Sequence, residues 1–201
     1  DANGHVTKMT YTSTAQHRDP NGQETAFKYD PLGRIIETVA PTGSKQSFSY
    51  DALGNRLSET SGEGHTTTYS YDSMNRVSSK KRPTGGVTQY AYDTTGSLAK
   101  ETDANGHSTN YVNDLYGRVT KRTLPNEAAY SYAYDALGRL TKQTGPQGLS
   151  KTYSYDVSGN LVKETDQSDR SNRYSYDKVG RLLTAKNTLD QPVRLCDRLD
   201  Q

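Results

Sequence analysis

The sequence predicts an all-β fold in which tandem β-hairpin repeats of constant length form one long, curled or spiralling antiparallel sheet, a fragment of a β-shell. Three observations support it. An aspartate recurs at the constant interval that separates Asp30 from Asp51, aromatic residues alternate with small ones before most of these aspartates, and a glycine usually follows three residues later. The eight aspartates are Asp30, Asp51, Asp72, Asp93, Asp114, Asp135, Asp156 and Asp177.

The period divides the chain into three parts. Residues 1–18 look like a degenerate N-terminal repeat, residues 19–186 hold eight YD repeats, and residues 187–201 form a C-terminal segment that diverges from the pattern. Because the chain begins inside a repetitive pattern, we expect it to be a fragment of a larger protein.

The first strand of each repeat ends at the aspartate. In Thr67-Thr68-Tyr69-Ser70-Tyr71 every second residue is aromatic, which places the rings on one face of a strand. The sheet should therefore have an aromatic face and a thin face of small or polar residues. One aromatic column holds Tyr29, Tyr50, Tyr71, Tyr92, Tyr134, Tyr155 and Tyr176, and the other holds Phe27, Phe48, Tyr69, Tyr90, Tyr111, Tyr132, Tyr153 and Tyr174.

The Asp-x-x-Gly step predicts a turn, because Asp favours its first position and Gly accepts the positive φ that the turn requires. Asn75 replaces Gly once, and Asn tolerates this conformation better than most residues. A second strand follows, often beginning with an aliphatic residue such as Leu140, and a second turn leads to the next repeat. In one repeat the aliphatic residue, Leu57, comes one place late, so we expect a bulge there.

Eight repeats predict sixteen strands. Open twisted sheets rarely exceed about ten strands without curling, so this sheet is expected to coil.

Composition narrows the function. Hydrophobic residues make up only 30%, mean hydropathy is −0.98 and net charge is +2, but the chain has 16 Tyr. The charge balance favours no nucleic acid partner, and the only basic cluster in the sequence is Lys80-Lys81-Arg82. No apolar run approaches the roughly 20 residues of a membrane-spanning segment. Cys196, the single cysteine, is expected to be a thiol without a catalytic role.

The segment Tyr134-Asp135-Ala136-Leu137-Gly138-Arg139-Leu140, with Thr144 after it, resembles the YD-repeat (Rhs-repeat) family. The resemblance covers about residues 19–186. It implies a β-sheet that spirals into a hollow shell. Bacterial members, the Rhs proteins and the C components of Tc toxins, enclose a C-terminal toxin domain, and teneurins carry a related shell. The implied partners are a toxin domain of the same parent chain and further YD repeats. The implied location is secreted or cell-surface, as part of a larger bacterial protein.

We predict that the repeated residues are structural, with no catalytic, cofactor-binding or metal-binding residue. The predicted structural signature is Tyr29, Asp30, Gly33, Arg34, Tyr50, Asp51, Gly54, Tyr71, Asp72, Arg76, Tyr92, Asp93, Gly96, Asp114, Gly117, Arg118, Tyr134, Asp135, Gly138, Arg139, Tyr155, Asp156, Gly159, Tyr176, Asp177, Gly180 and Arg181.

The repeated residues also allow other chemistry. The aspartates could act as paired carboxylates, but the same spacing at every repeat favours turns. The arginines could bind anions, or pair with the turn aspartates. Asp30-Pro31-Leu32-Gly33 has the letters of the family's self-cleavage element but stands inside an ordinary repeat. His65 and His107 lie four strands apart, roughly 19 Å, too far to share a metal ion.

The aromatic columns leave two hypotheses open. The rings can form the core of the sheet, packed against the next turn of the spiral, or they can be partly exposed and stack on sugars. The main hypothesis is therefore a non-enzymatic fragment of a shell that encapsulates a toxin domain and helps to deliver it. The alternative is a cell-surface adhesion or glycan-binding module.

Overall fold

The computed structural model describes residues 13–18 and 23–192. The other residues include Cys196, most of residues 1–18 and most of residues 187–201. The predicted roles of these segments and of the thiol therefore lie outside the described residues.

The described residues form seventeen antiparallel strands of one sheet, which confirms the predicted all-β hairpin array. Sixteen strands come from the eight repeats and β1 precedes them. The strands are β1 Ser13–Arg18, β2 Glu24–Tyr29, β3 Ile35–Val39, β4 Lys45–Tyr50, β5 Arg56–Thr60, β6 Thr66–Tyr71, β7 Val77–Lys81, β8 Val87–Tyr92, β9 Leu98–Thr102, β10 Ser108–Asn113, β11 Val119–Thr123, β12 Ala129–Tyr134, β13 Leu140–Thr144, β14 Ser150–Tyr155, β15 Leu161–Asp166, β16 Ser171–Tyr176 and β17 Leu182–Lys186. The only helical segment in the described ranges is a 3-10 turn over Pro146–Gly148.

The chain divides into two compact units. Unit 1 comprises residues 1–91 and 102–107, and unit 2 comprises residues 92–101 and 108–201. In unit 1, strands β1 to β8 pair in chain order. In unit 2, strands β10 to β17 do the same. Curling of the sheet stays a prediction.

Each Asp turn is a short hairpin loop that closes through its backbone. The amide of Asp135 donates to the carbonyl of Arg139 at 2.9 Å, and the amide of Gly138 donates to the carbonyl of Asp135 at 3.0 Å. Gly138 has a φ of +82°, and Asn75, which replaces glycine in its own turn, has a φ of 60°. The conformational reason for Gly and Asn at this position is therefore as predicted.

Within the two units, a bulge accompanies the hairpin of every aspartate of the repeat period, and not only that of Asp51, where it was expected. Tyr50 opposes Arg56 while Ser49 opposes Ser58, which leaves Leu57 as the extra residue. The same shift of register occurs in all seven of these hairpins. The expected bulge is present, but its explanation was wrong. The strand register of this repeat is the same as in the others, and Arg56 occupies the position at which other repeats have an aliphatic residue.

The apolar packing of the sheet comes from its aromatic face. No hydrophobic residue in the described ranges is fully buried, and Thr88 and Ser171 are the only buried polar residues there. The rings of the two aromatic columns are half-buried instead. A sheet of one layer can bury only one side of each ring, so its stability depends on contacts between neighbouring hairpins.

Candidate functional site

The turn aspartates sit in a fixed set of hydrogen bonds. Asp135 Oδ1 accepts bonds from the backbone amides of Leu137 at 3.0 Å and Arg139 at 2.9 Å. Asp135 Oδ2 accepts a bond from Arg139 Nε at 2.7 Å. Both carboxylate oxygens are thus engaged within the turn, which leaves them poorly suited to abstract or donate a proton.

The arginine of each turn also reaches the next repeat. The Arg139 guanidinium lies 4.8 Å from the centre of the Tyr155 ring, and its Nη1 donates to the carbonyl of Asp156 at 3.1 Å. The Tyr155 hydroxyl donates back to the carbonyl of Leu140 at 2.8 Å. Asp, Arg and the following Tyr therefore form a rung that fixes one hairpin against the next.

This rung recurs along both units. Guanidinium groups lie at 4.8 Å over the rings of Tyr50 and Tyr134, like that over Tyr155. Hydroxyl bonds to the carbonyl of the residue fifteen positions earlier are made by Tyr50, Tyr71, Tyr134, Tyr155 and Tyr176. Asp–Arg ion pairs at separation four are made by Asp30, Asp72, Asp114, Asp135 and Asp177. Asn55 and Asn160 replace the arginine with amide bonds to Asp51 and Asp156.

One rung of unit 2 is built differently. Ser97 stands where an arginine is expected, and Asn113 stands where the next tyrosine is expected. Asn113 Nδ2 donates both to Asp93 Oδ2 at 3.1 Å and to the carbonyl of Leu98 at 2.9 Å. The two substitutions complement each other, because the asparagine amide replaces both the arginine's bond to Asp and the tyrosine's bond to the carbonyl.

The hydrogen bonds hold the turn carboxylates ionised. The pKa of Asp135 lies below its usual value, chiefly because the Arg139 backbone amide donates to the charged form. The pKa of Asp93 is lowered to about 2, first by the Thr95 hydroxyl and then by the Asn113 amide. The lowered pKa values thus reflect the hydrogen bonds that these carboxylates accept in the turns.

Each of the remaining sequence candidates belongs to a different turn. Asp30-Pro31-Leu32-Gly33 forms an ordinary Asp turn, with Asp30 Oδ1 accepting from the amides of Leu32 and Arg34. His65 Nδ1 lies 3.4 Å from Glu63 Oε2, and His107 Nδ1 lies 3.3 Å from Asp103 Oδ2. Both imidazole rings are exposed. No group of three or more His, Cys, Asp or Glu side chains in the described ranges is arranged to hold a metal ion. No helix in these ranges is long and apolar enough to cross a membrane.

The structure also shows a basic row that sequence reasoning missed. Lys100, Lys121, Lys142 and Lys163 each stand two residues after the start of a strand, on the thin face of unit 2. The expectation that no basic cluster exists beyond Lys80-Lys81-Arg82 was therefore wrong. The signal was available, since successive lysines are one full repeat apart, but a search for runs of adjacent charges cannot find it.

Comparison with known proteins places this hairpin array in a family. The family model described as the teneurin YD-shell matches residues 1–151. The chain belongs to the YD-shell family. The RHS repeat model also matches, at residues 134–171 and 155–191, where the YD repeats continue. No curated protein matches the chain.

Solved structures share the fold of these YD repeats. The crystal structure of TcdB2-TccC3-TEV superposes with a TM-score of 0.59 at 20% identity, over 86% of this chain. That of TcdB2-TccC3 without the hypervariable C-terminal region superposes with a TM-score of 0.60 at 20% identity, also over 86%. The chain spans 12% of the length of each solved chain. The YD-repeat family is a family of structural shell repeats and not of enzymes, so a shell-like structural role follows for these repeats.

Proposed function

We propose that this chain is a segment of the wall of a YD-repeat shell that encloses a C-terminal toxin domain of the same parent protein and helps to deliver it. The observation that carries the proposal is the recurrent rung of Asp, Arg and Tyr, or of its asparagine substitutes, which joins successive hairpins of the sheet. Such a wall gains length by adding repeats, and a long enough one can surround another domain. Further YD repeats and the toxin domain are its proposed partners.

Two further observations support a wall. The turn carboxylates are engaged in structural bonds, and the aromatic face has no fully buried hydrophobic residue in the described ranges. Half-buried rings of this kind leave apolar surface that another part of the parent protein can cover. We assign the parent to the secreted or cell-surface proteins of bacteria as part of the same proposal.

Limited proteolysis of the parent protein tests encapsulation. The parent is digested next to its separately expressed C-terminal domain, and the survival of that domain is followed by gel electrophoresis. We expect the enclosed domain to survive under conditions that destroy the free one. A parent carrying Tyr132→Ser, which weakens the wall, should lose part of this protection, while Ser131→Ala on the thin face should not. Equal rates for the enclosed and the free domain would refute the proposal.

A cell-surface adhesion or glycan-binding module is the second candidate. A groove of about 570 Å³ on the aromatic face of unit 1 is lined by Phe48, Arg56, Glu59 and His65, a mixture that suits a sugar ring. Arg56 lies 5.9 Å from the Phe48 ring centre and 5.2 Å from that of Tyr69, so a sugar must displace it to stack. Glycan-array binding that disappears on Phe48→Ala supports this candidate, and a blank array removes it.

A further inference from the structure

We propose that the thin face of unit 2 binds a linear anionic polysaccharide along a lysine row formed by Lys100, Lys121, Lys142 and Lys163 and extended by Arg173. Each lysine lies two residues after the first residue of its strand, in β9, β11, β13 and β15. Equivalent residues of successive repeats are two strands apart, about 10 Å. The row therefore crosses the sheet as a single file of evenly spaced cations.

The neighbours of the row leave its charge uncompensated. Lys121 is opposed by Val112 on one side and Ser131 on the other, and Lys142 by Ala133 and Thr152. No acidic residue stands in these flanking columns in the described strands of unit 2, and none of the four lysines has an ion-pair partner there. By contrast, the corresponding positions of unit 1 hold Glu37, Ser58 and Ser79.

A second observation concerns the cations at one end of the row. Lys163 directly opposes Arg173, and Arg173 directly opposes Lys186 on its other side. Like charges facing each other across strands destabilise a sheet. Asp190 pairs with Lys186 at 3.0 Å, but no described carboxylate pairs with Lys163 or Arg173. A sulfate or carboxylate group of a ligand above these two cations relieves the repulsion.

The shape and surroundings of the row select the class of ligand. Its cations form a line with hydroxyl side chains beside it, such as Ser131, Thr152 and Ser154, which suits the hydroxyl groups and periodic charges of an acidic polysaccharide. Single-stranded nucleic acid is held by stacking on aromatic rings, and here the aromatic columns lie on the opposite face. Duplex phosphates are also much closer together, about 3.4 Å apart along each strand. Polysaccharide binding on the thin face does not depend on encapsulation.

Binding of fluorescent heparin to the 201-residue chain in physiological salt tests the proposal. The row variant Lys121→Gln/Lys142→Gln/Lys163→Gln should lose at least about tenfold in affinity, with a shallower dependence on salt. The control variant Lys45→Gln/Lys81→Gln/Lys178→Gln has the same net charge and should lose less than about twofold. Equal losses in both variants overturn the proposal, because they show attraction by net charge alone.

A second variant leaves every lysine in place. Ser154 opposes Lys163, so Ser154→Glu supplies the row with its own carboxylate. We expect weaker heparin binding together with an unchanged or higher Tm, which separates loss of the site from loss of the fold. Unchanged affinity in this variant contradicts the proposal, as does tighter binding of an oligothymidylate or of phosphatidylserine vesicles than of heparin.

Discussion

At the scale of single residues, a turn aspartate that is followed by arginine, such as Asp135, combines two functions that can be separated. One oxygen accepts two backbone amides and shapes the turn, while the other binds the arginine. Asn187 shows that the first function needs no charge, since its Oδ1 accepts the amides of Leu189 at 2.9 Å and Gln191 at 3.0 Å. The turn can therefore form without the charge, which strengthens the amide bonds and adds the ion pair with the arginine.

Substitution of Asp135 tests this division. Asp135→Asn keeps an acceptor for both turn amides and loses only the ion pair, so we expect a small fall in Tm. Asp135→Ala removes all three bonds and should lower Tm several times further. Thermal unfolding followed by circular dichroism provides the comparison, and equal falls would show that the amide bonds contribute nothing.

The unusual rung predicts a coupling between two positions that are far apart in the sequence but belong to the same rung. Ser97→Arg or Asn113→Tyr alone should stabilise little, because each lacks its partner. Together they restore the usual rung, and a double-mutant cycle should give a coupling free energy of about 0.5–3 kcal/mol. Chemical denaturation of the four proteins measures it, and additive effects would show that arginine and tyrosine act independently.

At the scale of the hairpin, backbone conformation decides which residues the turns accept. Gly159 has a φ of +88°, and an added Cβ would meet no atom within 4 Å. The cost of Gly159→Ala is therefore conformational, about 1–2 kcal/mol. Gly159→Asn should cost less, because Asn75 already occupies the same place in its own turn. Denaturant titration of both variants checks the order, and a reversed order contradicts the argument.

The aromatic columns should carry much of the hairpin's stability. Full burial of such a side chain contributes about 1.5–3 kcal/mol, and because the rings are half-buried we expect Tyr90→Ser or Tyr132→Ser to cost about half of that. Ser70→Thr on the thin face should be mild. Small and equal effects at the three positions, measured by denaturant titration, would indicate that the rings add little to folding.

Hairpins were predictable because their determinants are local. The Asp-x-x-Gly turn, the alternation of aromatics and the substitution at Asn75 are all contained within one repeat. The role of Asn113 was not found, since it joins residues of different repeats that meet only when strands pair. The lysine row was missed for another reason, because its period was visible in the sequence but its members are not adjacent. Arg56 was misinterpreted because its position was judged from hydrophobicity, whereas the strand register depends on the turn.

At the scale of the whole molecule, the repeated carboxylates link stability to pH. Their folded-state pKa values lie below the ordinary value, so the folded chain binds fewer protons than the unfolded chain in acid. Their contribution is complete above about pH 4 and is lost as the pH falls through the folded values, about 2 for Asp93.

We therefore expect Tm to fall steadily between about pH 4 and pH 2. Circular dichroism melts across this range measure the fall. Asp93→Asn should make the dependence on pH shallower, while Asp190→Asn, at an exposed position, serves as the control. A constant Tm from pH 5 to pH 2 would mean that the turn carboxylates do not stabilise the fold.

The rung of Ser97 and Asn113 also affects how a chain of similar repeats pairs the correct strands during folding. In an array of nearly identical hairpins, a strand can pair with the right partner type one repeat too far along, looping out a whole hairpin. Such a slip would place an arginine or a tyrosine opposite a residue with which it cannot form the usual rung. The rung of Ser97 and Asn113 therefore disfavours pairing that is wrong by one repeat. Restoring the common residues there should make the protein more stable and yet more error-prone in refolding, because the chain loses the rung of unit 2 that differs most from its neighbours.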